Sequence, residues 1–121
     1  MKPSITFCAV DCENPYLAER ALNLSAERFE PDEMILFTNT PIQASGRAQI
    51  IEKISSREEY SKFILKDLPK YITTDYALIM QWDGYIVSPS SWDNKFYSMD
   101  YIGAPWPWFK DRLDVGNGGF S

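Results

Sequence analysis

There is no histidine among the 121 residues. Ser-His-Asp and Cys-His catalysis are therefore excluded, because both need an imidazole as general base. Cysteine is scarce: Cys8 and Cys12 are the only two. On an extended strand their Cα atoms would stand about 13 Å apart at ~3.3 Å per residue, beyond the reach of a disulfide. Both are expected as free thiols, Cys8 in the core and Cys12 near a strand end. No G-x-G-x-x-G follows the first apolar run and no P-loop is present, so the dinucleotide and NTPase fingerprints are missing. The net charge is -5, with no basic cluster, which argues against nucleic acid as a partner. No apolar run is long enough to span a bilayer, and the N-terminus lacks a signal-peptide core. The expectation is a cytoplasmic protein without a transmembrane segment.

What is present is a chain rich in apolar residues (45%) and aromatics (15%), enough for one globular domain with a real core. Its centre is the run Tyr76-Ala77-Leu78-Ile79-Met80, apolar without alternation. That pattern predicts a strand buried on both faces, as in a parallel sheet covered by helices. Gln81, Trp82 and Asp83 end the run, and Gly84 permits a sharp turn or a close ligand approach. Ser4 to Val10 reads as a first buried strand, Glu33 to Phe37 as a second and Gln49 to Ile54 as a third. Asn14-Pro15 predicts a helix start, with Asn14 as N-cap and Pro15 at the first helical position. Leu17, Ala21 and Leu24 would form the buried face of that helix. Ser56 and Glu59 form a capping box, and Tyr60, Phe63, Ile64 and Leu68 a buried stripe. Pro69 is expected to kink that helix or start a short second one.

The first 83 residues thus alternate β-α-β-β-α-β. This is a Rossmann-like α/β pattern with a mostly parallel central sheet flanked by helices. After Asp83, Trp92, Phe96 and Tyr97 predict a short aromatic helix, and Tyr101 to Trp106 a strand ending at prolines. Asp11, Thr38 with Asn39, and Asp83 are polar residues at three strand ends, which lie side by side at one edge of such a sheet. A carboxylate there, Asp83, can hold Mg²⁺ or Mn²⁺ shared with phosphate oxygens. Lys62 can add a point charge to the same phosphates, or stand as a solvated helix lysine.

Four segments carry a resemblance: AVDCENPYLAERAL near the start, then QWDGYIVSPSSW, DYIGAPWPW and VGNGGFS. Together they resemble a family of poorly characterised proteins related to GT-A glycosyltransferases. The resemblance implies a GT-A nucleotide-diphospho-sugar transferase fold. Residues 1–83 would be the nucleotide-binding half, and residues 84–121 the start of a sugar and acceptor half that continues beyond this chain. It implies a nucleotide-diphosphate sugar as donor, an unknown acceptor and a divalent cation. Ala9, Val10 and Asp11 would face the nucleoside, and Lys62 the donor phosphates. Gly118, Gly119 and Phe120 would lie beside the sugar or acceptor, and Trp82, Trp106 and Trp108 would stack on sugar faces. The place of the family's Asp-x-Asp is taken by Gln81-Trp82-Asp83, leaving Asp83 as the metal ligand. Two other classes fit the same residues: a non-catalytic nucleotide- or sugar-binding module, and an interaction domain with an aromatic surface from Trp92 to Phe120. Self-association through the C-terminal side, or a mobile tail after Pro107, is the matching expectation.

Overall fold

The computed structural model describes residues 3–86, 88, 90, 92–102 and 121. Four strands build one sheet: β1 (Ile5–Val10), β2 (Glu33–Thr38), β3 (Arg47–Ile50) and β4 (Tyr76–Met80). All pairings are parallel, in the order β3-β2-β1-β4. This is the Rossmann-like α/β sheet that the apolar runs predict. β1 sits centrally, and all six of its residues are buried. Its side chains alternate between two cores. Ile5, Phe7 and Ala9 join Leu36, Leu78 and Met80 beneath helix α1 (Pro15–Arg28). Cys8 and Val10 join Ile35, Phe37 and Ile79 on the other face, covered by Phe63, Ile64 and Leu68. A strand apolar throughout is what such a two-sided burial requires.

Helix α1 starts at Pro15 and buries Ala21 as expected, but the rest of its buried face differs. Pro15, Ala18, Ala21, Leu22 and Ser25 are buried, whereas Leu17 is 41% exposed. Small residues win this face because they let the helix backbone approach the sheet closely. Asn14 makes no side-chain cap bond. Asp11 Oδ1 instead accepts from the Glu13 and Asn14 amides, at 2.9 and 2.7 Å. Ser25 accepts the Ile86 amide at 2.9 Å and donates to Met80 Sδ at 3.4 Å. It thereby fastens the chain after β4 onto α1.

The link from β2 to β3 contains no helix, yet the strands are parallel. It fits because Gly46 crosses tightly over β2. A Cβ there would lie 2.6 Å from the Met34 carbonyl oxygen and 2.8 Å from Met34 Cβ. β3 is shorter than expected and lies earlier. Ile51 still donates to the Thr38 carbonyl at 3.0 Å. The chain then leaves β2, and the Ile54 amide reaches Cys12 Sγ at 3.4 Å.

Helix α2 (Arg57–Lys62) carries the expected capping box. The Glu59 amide donates to Ser56 Oγ at 3.1 Å, and Glu59 Oε2 accepts from the Ser55 amide at 2.8 Å. It continues as a π-helical turn, Phe63–Asp67, and a 3₁₀ turn, Leu68–Tyr71, that includes Pro69. A second 3₁₀ turn, Asn94–Ser98, carries Phe96 and Tyr97. Trp92 packs on Phe29 with ring centroids 4.8 Å apart and on Phe96 at 5.2 Å. Tyr101 and Ile102 are exposed and not in a strand. The rest of the strand expected there, the tail after Pro107 and Trp108 lie outside the described residues. Ser121 exchanges both backbone hydrogen bonds with Ile79 on the outer edge of β4, at 2.5 and 2.8 Å. That exchange is the mark of an antiparallel hydrogen-bonded pair.

Candidate functional site at the carboxyl edge of the sheet

Parallel strands bring their C-terminal ends to one edge. In the order β3-β2-β1-β4 the direction of winding reverses between β1 and β4, and open α/β sheets bind ligands at such a switch point. Asp11 leaves β1 on one side of it. The turn Gln81–Gly84 leaves β4 on the other, closed by Gly84 N–H to the Gln81 carbonyl at 3.0 Å. The two central residues of that turn, Trp82 and Asp83, are exposed, Trp82 at 46%. Gly84 is half-buried and forms the return of the turn.

The other edge residues are more committed. Ala9 and Val10 are buried, and their side chains belong to the two cores. Thr38 is fully buried, with Oγ1 accepting the Thr40 amide at 3.3 Å. Asn39 follows it with a buried Oδ1 that has no hydrogen-bond partner among the described residues. An unsatisfied buried acceptor is costly, so this oxygen is a ready acceptor for a donor group at the edge. The half of the edge over β2 and β1 is bridged by residues 51–54, which run from Thr38 to Cys12. Cys8 and Cys12 are both free. Burial pushes the Cys8 thiol up to about 12, so it is no nucleophile at neutral pH.

Lys62 stands elsewhere. It is exposed and lines a cleft of about 610 Å³ with Ile51, Lys53, Glu59, Phe63 and Tyr71. That cleft opens beside the end of β3. Asp11 and the Gln81–Gly84 turn follow neighbouring strands at the switch point, and Lys62 lines the cleft beside β3. Trp106, Gly118, Gly119 and Phe120 lie outside the described residues.

One residue at the switch point was hidden in the sequence. Tyr60 belongs to the apolar stripe of α2 and packs against the core. Its hydroxyl accepts from Gln81 Nε2 at 3.5 Å. Burial pushes its phenol up from the ordinary value, the Gln81 bond opposes this, and the charge of Asp11 adds to the rise. The only sequence signal was that a tyrosine on a buried stripe needs a partner for its hydroxyl.

Among the described residues, no group of three or more His, Cys, Asp or Glu stands ready for a metal, and no helix is long and apolar enough to cross a membrane. A cation at the switch point would rest on Asp83, with Asp11 Oδ1 already bonded to two amides. One carboxylate suits a partly hydrated Mg²⁺ or Mn²⁺ whose other ligands are phosphate oxygens and water. No curated protein and no solved structure matches the chain. A family model described as "Protein of unknown function" matches residues 47–121, from the start of β3 through α2, β4 and the Gln81–Gly84 turn. The chain belongs to that family, DUF5672.

Proposed function

We propose that this chain is a GT-A-like glycosyltransferase domain that takes a nucleotide-diphosphate sugar at the switch point between β1 and β4. The observation that carries the reading is the exposed Trp82-Asp83 pair on the turn that ends β4, beside Asp11 at the end of β1. Asp83 would hold the divalent cation, which supplies Lewis-acid stabilisation of the departing diphosphate. Trp82 offers a ring face on which a sugar stacks. Gly84 lets the turn close without a side chain at the centre of the site. The Asn39 Oδ1 acceptor and Asp11 would flank the nucleoside. Lys62 would meet phosphates only in a ligand that reaches the cleft it lines.

A second reading is a nucleotide- or sugar-binding module without transfer activity. Gln81 favours it, because an amide stands where GT-A enzymes carry the first acid. A thermal-shift screen of nucleoside diphosphates and nucleotide sugars, with and without Mn²⁺, tests the common core of both. A ligand at 100 times its Kd should stabilise the fold by about 2.7 kcal/mol. A rise in Tm that needs Mn²⁺ supports the donor site, and no rise with any nucleotide contradicts it. Release of free sugar from the stabilising donor would separate the enzyme from the module.

A further inference from the structure

We propose that Tyr60 is a positioning residue, whose hydroxyl tethers the Gln81 carboxamide and so sets where the Trp82-Asp83 pair stands beside Asp11. The tether deepens the donor-site reading and, for its role in binding, rests on it. The turn is held in two places. Its backbone is closed by Gly84 N–H to the Gln81 carbonyl at 3.0 Å. Its first side chain is held by Gln81 Nε2 to Tyr60 Oη at 3.5 Å. Trp82 and Asp83, between these points, are exposed. Among the described residues, no side chain forms a hydrogen bond or ion pair with theirs. Their location depends on the two residues that flank them.

Tyr60 is well suited to this task. Its ring packs on the core formed by Phe63, Ile64 and Val10, so the hydroxyl is presented from a fixed base. The capping box at Ser56 and Glu59 fixes the start of the same helix. Tyr60 therefore reaches the residue that opens the turn after β4. A carboxylate at position 81 would carry a charge beside Asp11 and Asp83. The carboxamide donates a neutral hydrogen bond to Tyr60 instead.

Amide hydrogen exchange tests this without a ligand. In Tyr60→Phe the ring stays and the hydroxyl goes. Exchange at Gly84 should quicken several-fold, while the β1–β4 ladder amides keep their protection. Gln81→Met removes the other end of the bond and should do the same. The double variant should be no worse than either single one, since both remove one interaction. Unchanged exchange at Gly84 in Tyr60→Phe, or additive effects in the double variant, would overturn the tether. In calorimetry with a nucleoside diphosphate and Mn²⁺, Tyr60→Phe should bind several-fold more weakly than wild type. Equal affinity would overturn the positioning role. Faster Gly84 exchange in a protein whose wild type binds no nucleotide supports the tether and overturns only the donor-site reading.

Discussion

Cys8 shows how one buried side chain links sequence to stability. It lies in the central strand, fully buried, and its thiol is pushed up to about 12 by desolvation. In the unfolded chain the thiol titrates near 9.0. Below pH 9 both states keep the proton and stability is intact. Between pH 9 and 12 the unfolded state loses a proton that the folded state retains, so stability falls as pH rises. The full loss is on the order of 4 kcal/mol at about 1.4 kcal/mol per pH unit. Urea unfolding between pH 8 and pH 10 should show a steeper decline for wild type than for Cys8→Ala. Parallel declines would contradict the buried thiol. The free state of both cysteines was readable from their spacing. The role of Tyr60 was not, because its partner Gln81 is distant in sequence and only the packing of α2 over β1 brings them together.

At the scale of elements, the strands were legible because buried parallel strands are apolar throughout, and the Ser56–Glu59 box because capping is local chemistry. The buried face of α1 was legible only in part. The spacing of Leu17, Ala21 and Leu24 placed Ala21 correctly, yet the packing selected Ala18, Leu22 and Ser25 beside it in place of the two leucines. The end of β3 was also hidden, since the Ile54 amide meets Cys12, which the local sequence does not announce. The β2–β3 link depends on Gly46, whose added Cβ would press on the Met34 backbone oxygen at 2.6 Å. Backbone gives way poorly, so Gly46→Ala should destabilise by about 1–3 kcal/mol, the usual cost of overpacking. Thermal unfolding followed by circular dichroism should show a midpoint lower by several degrees. An unchanged midpoint would mean that the link shifts freely over β2.

For the whole molecule, sheet order decides where function can reside. The β3-β2-β1-β4 order puts Asp11 and the Gln81–Gly84 turn at the ends of neighbouring strands. The polar strand ends were visible in the sequence, but the place of Lys62 in a cleft with residues 50–54 emerges only from the fold. The family match covers the turn and Tyr60 but begins at Arg47, after β1 and β2. The central claim is a metal-assisted diphosphate site on Asp83. Calorimetry with a nucleoside diphosphate and Mn²⁺ tests it in wild type, Asp83→Asn and Asp93→Asn. Asp93 is exposed and caps a 3₁₀ turn by accepting the Lys95 amide at 2.9 Å, so it serves as a distant acidic control. The account predicts that Asp83→Asn loses the Mn²⁺-dependent part of binding, at least tenfold in affinity, with the fold intact and Asp93→Asn like wild type. Equal Mn²⁺-dependent affinity in wild type and Asp83→Asn would contradict it.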